Sequence, residues 1–368
     1  MLKPQKMFNL PNSSIHGFGI DLSDLSIKII DLKKKGGNFE LASFGRQEIP
    51  AGLIENGEIK KEEELIALIK KSVKEVKGRG LKSDYCIVSL PETESFVRLV
   101  HLPLMKKEEM AEAIKWEIEA NIPLSLPEIY YDWRVIETAA GARQDYLDIL
   151  IGVLPQRTVD PYLSVLKKAG LKPFVFEIES LAIARALVPG GCCDKPLLII
   201  DVGAKRTSLA IFSGQTVYFT ASLPISNSSI VETMSEKLNI DQEKAKQIKI
   251  EQGLDYKNPG SLTLRALAPL MDETTKKIKD YIDYYQEHLP AAPNAQSNKI
   301  SSALLCGGGA NFAGLPEFLT EKLGFPVFPG NPWSNVFKGA PKNISGLSSG
   351  EALSFATAIG LAIRGLKE

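Results

Sequence analysis

Apolar and polar positions along this chain switch between a period of two and a period near 3.6, the marks of strand and helix. Phe18-Gly-Ile runs into Asp21, a polar turn Ser23-Asp24 follows, and Ile27 to Ile30 leads away. That pattern predicts a hairpin over residues 17–32. Residues 39–49 alternate as a third strand. From Ile59-Lys60 onward Leu65, Ile69, Val73 and Val76 recur at helical spacing, until Gly78 and Gly80 stop the run. Residues 85–90 are a short apolar strand that Pro91 ends. Three strands, a helix and a strand make an α/β half-domain.

A differently ordered unit comes next. Residues 95–102 read as a strand broken by Pro103, and 106–121 as a helix with Met110, Ile114 and Ile118 on one face. Two strands, 130–137 and 146–154, flank a polar loop at 138–144, and a helix over 158–169 closes at Gly170. The chain returns through a strand at 171–178 and an alanine-rich helix at 179–187. A second hairpin spans 196–212: Leu197 to Ile200 leads into Asp201, and Gly203 to Arg206 make the turn. Helices are then predicted at 228–238, 241–252 (Asp241 as N-cap) and 262–288, with a proline-bearing linker at 289–298. Residues 302–306 form a strand that runs into Gly307-Gly308-Gly309, and a second alanine-rich helix spans 349–366.

Composition narrows the picture. With 368 residues, 44% of them apolar and 24% charged, the chain exceeds one comfortable core and is expected to fold as two halves around a cleft. Lys plus Arg and Asp plus Glu both number 44, so no global field draws nucleic acid or an anionic membrane. Cys86, Cys192, Cys193 and Cys306 lack CxxC spacing and read as reduced thiols. His16, His101 and His288 are scattered, and no Walker lysine loop occurs. No apolar run reaches membrane length and the N-terminal stretch has no signal-like core, which points to the cytoplasm. Trp116 and Trp133 are expected in the core of the intermediate unit, and Lys33 to Lys35 at a hairpin tip.

Two hairpins with matching acids suggest a duplicated fold facing one ligand. Gly203 lets a turn backbone approach that ligand closely, and turn N–H groups suit an anion. Taken singly, Asp21 and Asp201 could simply end strands, and Glu179 could simply interact with its helix dipole.

The order of these pieces resembles the actin-like ATPase superfamily, which includes actin, MreB, FtsA and DnaK-type chaperones. That order is acid hairpin, inserted unit, small-residue helix, acid hairpin, helical insert, glycine turn, small-residue helix. The resemblance implies an α/β, ribonuclease H-like duplicated, two-lobed fold. It gives 1–94 with 173–190 as the first half, 95–172 as an inserted subdomain, 191–227 with 300–368 as the second half and 228–299 as a helical insert. It also implies bound ATP and magnesium. Asp21 and Asp201 would hold the metal through water, and Ser23, Lys28, Gly203, Ala204 and Thr207 would meet phosphate. Gly307, Gly308 and Gly309 would hold the adenosine, with Lys249 near the adenine edge. Glu179 would orient attacking water.

The insert's position and the stretches GIDLSDLSIKIIDLKKK, SFVRLVHLPLMKKEEMAEAIKWEIEANIPLSLPEIYYDWRVIE and FEIESLAIARAL are similar to the type IV pilus assembly protein PilM family, whose lead-in Met7-Phe-Asn also fits. By that likeness the chain is a cytoplasmic scaffold. It would bind the N-terminal tail of an inner-membrane PilN-like protein between the first half and the insert, touch the membrane only through it, and self-associate into a ring or filament. The alternative is an FtsA-like division or filament-forming ATPase, although residues 362–368 carry no FtsA-type membrane anchor. A binding module with a dead nucleotide site is a third reading. Leu22-Ser23-Asp24 and Ala204-Lys205-Arg206 stand where the superfamily has small, glycine-rich turns. A carboxylate at Asp24 facing a phosphate is repulsive unless metal or lysine offsets it, so hydrolysis is less firmly implied than binding.

Overall fold

A computed structural model describes residues 16–36, 38–91, 95–136, 146–258, 260–288, 297–337 and 346–367. The lead-in at Met7, the loop at 138–144 and nearly all of the 289–298 linker lie outside them. No helix among the described residues is long and apolar enough to cross a membrane.

The first lobe contains β1 (Phe18–Leu22), β2 (Ser26–Lys35), β3 (Asn38–Glu48), the two-residue strands β4 (Ile54–Glu55) and β5 (Glu58–Ile59), α1 (Glu62–Lys74), β6 (Lys77–Gly78) and β7 (Tyr85–Leu90). The inserted unit comprises β8 (Phe96–Pro103), α2 (Lys107–Asn121), β9 (Ile129–Val135), β10 (Tyr146–Pro155) and α3 (Gln156–Lys168). Then β11 (Lys172–Ile178) returns to the first sheet, whose order is β11-β7-β1-β2-β3-β6, and α4 (Glu179–Leu187) leads out. Both faces of this sheet are covered, which is why β2 is apolar almost throughout. Ile27 and Ile29 pack with Leu65 and Ile69 of α1 and Tyr162 of α3, while Ile30 and Leu32 face the opposite layer.

The second lobe repeats the plan with β12 (Cys193–Val202), β13 (Thr207–Gly214), β14 (Thr216–Leu223), α5 (Asn227–Leu238), α6 (Gln242–Gln252) and α7 (Leu262–His288). It continues through β15 (Ser302–Cys306), α8 (Leu315–Leu323), β16 (Val327–Pro329), α9 (Ser349–Leu353) and α10 (Ala356–Lys367). Its sheet runs β14-β13-β12-β15-β16, with β12 and β15 parallel. In each lobe an antiparallel hairpin joins a parallel neighbour at its acid-bearing strand, as a duplicated fold requires.

Several elements depart from the pattern-based reading. α1 begins at Glu62, because the β4–β5 hairpin occupies the stretch before it. The alanine-rich stretch at 349–366 is two helices, broken at Ser354-Phe355, where Phe355 turns into the core. α10 lies within the 300–368 range given to the second half, yet packs on β1, β2 and β7 of the first sheet and crosses α4. A Cβ built on Gly360 would sit 1.8 Å from the Ala182 carbonyl oxygen, so the α4–α10 crossing admits no side chain there. Trp116 is 69% exposed rather than in the core, because it lies off the α2 face formed by Met110, Ile114 and Ile118; Trp133 is half-buried.

The insert's three-stranded sheet has the order β8-β10-β9, so β8 is an edge, as β14 is of the second-lobe sheet. These two edges lie side by side, and Leu99 of β8 packs against the cores of both lobes.

Candidate functional site

Strand alternation aims the two acids at the same space. On β1, Gly19 and Asp21 share a face, and Gly19 lies against α10. Asp21 pairs across the hairpin with Lys28, and cross-strand partners point the same way. Lys28 Nζ donates to Asp21 Oδ2 at 2.8 Å, and Ser89 Oγ donates to Oδ1 at 3.1 Å. On β12, Ile199 and Asp201 share a face, and Asp201 pairs with Ser208 on β13 and Cys306 on β15.

Both acids line one cleft of about 270 Å³ between the lobes. Ser23, Lys28, Glu179, Gly203, Ala204, Gly307, Gly308 and Gly309 line it as well. The glycine turn follows β15 closely: Gly307 has φ +84°, and a Cβ there would lie 2.2 Å from Asp201 Oδ1. A side chain at 307 and the acid cannot coexist. The Gly203 and Ala204 carbonyls accept from Asn227 and Ser228 N–H, which joins the second turn to the start of α5. From the other lobe Glu179 opens α4, and Arg206 Nη2 lies 3.9 Å from its Oε2.

Two expected residues fall outside the lining. Thr207 pairs with Val202, one residue out of phase with the Asp201–Ser208 pair, so it points to the far side of the sheet. Its place in the cleft is taken by Ser208. Lys249 stands one layer back: its Nζ bonds Asn227 Oδ1, which itself lines the cleft, and lies 5.2 Å from the Phe312 ring centroid. Burial lowers the Lys249 ammonium to about 8. Lys246 is exposed and pairs with Glu243.

Asp24 lines the cleft, and both of its carboxylate oxygens are already held by backbone donors. Asn56 N–H donates to Oδ2 at 3.0 Å and Gly57 N–H to Oδ1 at 2.9 Å. The cleft residues that pattern reading did not single out include Arg46, Asn227, Asn311, Glu351 and Thr357. They come from strand ends, helix starts and turns with no motif of their own. Ser208 was the readable one, since hairpin register places it opposite Asp201.

Electrostatically the cleft is mixed. Asp201 is partly exposed to the cleft but surrounded by protein, and burial pushes its carboxyl up to about 6. Lys28, Arg206 and a hydrogen bond from the Cys306 thiol pull it down, and Asp21 pushes it further up. Cys306 itself is raised well above its ordinary value by burial and by Asp201, so it remains a thiol donor. Among the described residues no cluster of three or more metal-ligating side chains occurs. Two carboxylates with phosphate oxygens and water are nonetheless the usual donor set of magnesium, so the residues present fit that ion when it arrives with a polyphosphate.

A sequence model of the family described as "Type IV pilus assembly protein PilM" matches residues 19–366. The solved "PilM-PilN type IV pilus biogenesis complex" is similar at TM-score 0.78 and 24% identity, covering 97% of this chain and 100% of that one. MreB 5 of Spiroplasma citri bound to AMPPNP superposes at TM-score 0.54 with 14% identity, covering 95% of this chain and 96% of that chain. The cell division protein FtsA of Neisseria meningitidis serogroup B is 22% identical over 250 residues, which is 62% of this chain and 58% of that protein's length. The fold is thus the actin-like one anticipated from the order of the elements.

Proposed function

We propose a function from one premise: the chain belongs to the type IV pilus assembly protein PilM family. In this reading it is an actin-like scaffold of pilus assembly that binds ATP with magnesium between its lobes and a PilN-type tail beside its insert. The observation that carries it is the convergence of Asp21, Asp201 and the Gly307–Gly309 turn on one cleft.

Bound magnesium would neutralise charge on the β- and γ-phosphates. Asp21 and Asp201 would hold the ion through water, while Lys28 and Lys205, which also lines the cleft, would meet phosphate oxygens and Gly307–Gly309 would admit the nucleoside side. At about 270 Å³ the cleft lies near the lower end of the roughly 300–1,000 Å³ of small-molecule sites. Glu179, held near Arg206, orients water for slow hydrolysis once Arg206 turns to the phosphates. The units 1–94 with 173–190, 95–172, 191–227 with 300–368, and 228–299 would move relative to one another, with α4 and α10 as the hinge. Self-association into a ring or filament fits the same scaffold role.

The tail of an inner-membrane PilN-like partner docks between the first lobe and the insert. A groove of about 540 Å³ there, lined by Asn56 to Lys60, Pro91, Thr158, Pro161 and Tyr162, supports that placement. Membrane association then comes through the partner. Calorimetry with Mg-ATP, and separately with a synthetic PilN-type tail, tests both sites. Each ligand should bind; Asp201→Ala should abolish nucleotide binding only. Absence of both heats would sink the reading. Hydrolysis unaltered by Glu179→Ala would remove the role given to that residue.

A further inference from the structure

The first turn of the nucleotide cleft is bonded to the wall of the groove beside the insert. Asp24, 8% exposed, uses both carboxylate oxygens on the N–H groups of Asn56 and Gly57. Those residues form the two-residue turn between β4 and β5, with φ +52° and +81°. In such a primed turn the central N–H groups point away from the hairpin ladder, so a carboxylate is their natural acceptor. The Gly57 carbonyl in turn accepts from Tyr162 Oη at 3.0 Å. Tyr162 is buried in α3, and burial raises its phenol above the ordinary range, so it stays a donor. Ser23 and Asp24 line the cleft; Asn56, Gly57 and Tyr162 line the groove.

We infer that Asp24 is a positioning residue that makes tail affinity depend on what occupies the cleft. This rests on the nucleotide and tail sites proposed above. A polyphosphate entering beside Ser23 repels the Asp24 carboxylate at short range, in a cleft where screening is weak. The Asn56 and Gly57 N–H groups already hold that charge, and the push strengthens its hold on them. Nucleotide therefore tightens the β4–β5 turn onto Asp24 and, through Gly57 and Tyr162, fixes the groove between hairpin and α3. A preorganised groove binds a peptide more tightly, because less ordering is left to do on binding. The sign follows: nucleotide strengthens tail binding, and the tail strengthens nucleotide binding by the same factor.

The experiment titrates the full chain with a synthetic PilN-type tail, with and without Mg-AMPPNP, and then in the reverse order. The expected strengthening is about fivefold or more in both directions. Asp24→Asn removes the charge and one acceptor, and Tyr162→Phe removes the donor to Gly57; each should bring the ratio of tail affinities with and without nucleotide to about one, a ratio taken within each variant and so separate from any change in the affinities themselves. Melting midpoints of both variants report whether they remain folded. Hydrogen exchange at the Asn56 and Gly57 amides of the unmodified protein provides a readout independent of any substitution, and Mg-AMPPNP should slow it. Coupling that persists undiminished in both variants overturns the inference, as does exchange unchanged by nucleotide. So does a wild-type chain that binds both ligands without coupling; in that case the proposed function stands and only the coupling fails. If the unmodified chain binds neither ligand, the functional reading and this inference fall together.

Discussion

Asp201 is the cleft acid whose chemistry burial alters. Its carboxyl is raised from 3.8 to about 6, chiefly by burial. A raised acid makes a stabilising contribution that is fully present below the unfolded value and is lost as pH climbs through the folded value. In chelator-treated protein, Asp201→Asn should therefore stabilise the fold at pH 8 by about 1–3 kcal/mol, with the gain vanishing below about pH 4. Denaturant unfolding at the two pH values checks it. With Mg-nucleotide the sign reverses: affinity should rise as pH goes from 5 to 7, because only the ionised acid attracts the metal sphere, and Asp201→Asn should flatten that profile. The acids themselves were legible, since an apolar run ending in a carboxylate is a local pattern. Thr207 was misplaced because the turn's length fixes which residue resumes the inward phase, and residue types do not show that length. The bonds of Asp24 were invisible because its donors lie more than thirty positions away and belong to a two-residue hairpin.

Among elements, the glycine turn and the helix crossing are the least tolerant. Gly307→Ala would set a Cβ 2.2 Å from Asp201 Oδ1 at a φ of +84°. We expect it to cost about 1–3 kcal/mol of stability and at least tenfold in nucleotide affinity, measured by denaturant titration and calorimetry. Gly360→Ala must push α10 off α4, since the Ala182 carbonyl already fills the space. Overpacking of about 1–3 kcal/mol should appear as a melting midpoint several degrees lower. The long, strongly periodic elements were readable, as α7 shows: its apolar stripe spans the predicted 262–288 without adjustment. The break between α9 and α10 was not, because neither Ser354 nor Phe355 is a helix breaker by type. Phe355 is buried there in a cluster that joins Ile30, Leu32 and Phe44 to Trp333, Val336 and Leu347, a tertiary demand.

At the scale of the molecule, the chain crosses between lobes through α4 and again between α9 and α10. A ligand grasped from both sides ties the lobes into one cooperative unit. Mg-AMPPNP at a hundredfold excess over its Kd should add about 2.7 kcal/mol and sharpen unfolding to a single calorimetric transition. Two separate transitions in the bound state would contradict it. The duplicated plan was legible because the same motif occurs twice; the return of α10 to the first sheet was not, since chain order alone assigns a terminal helix to the lobe just completed.

The neighbouring edges of β8 and β14 carry one more consequence. An unpaired strand edge is a template for another chain. With β8 alongside, the inserted unit covers the flank of the second-lobe sheet at β14. Excising it would bare that edge. The shortened chain should stick to itself through β14, and size-exclusion chromatography would find it in large, irregular aggregates.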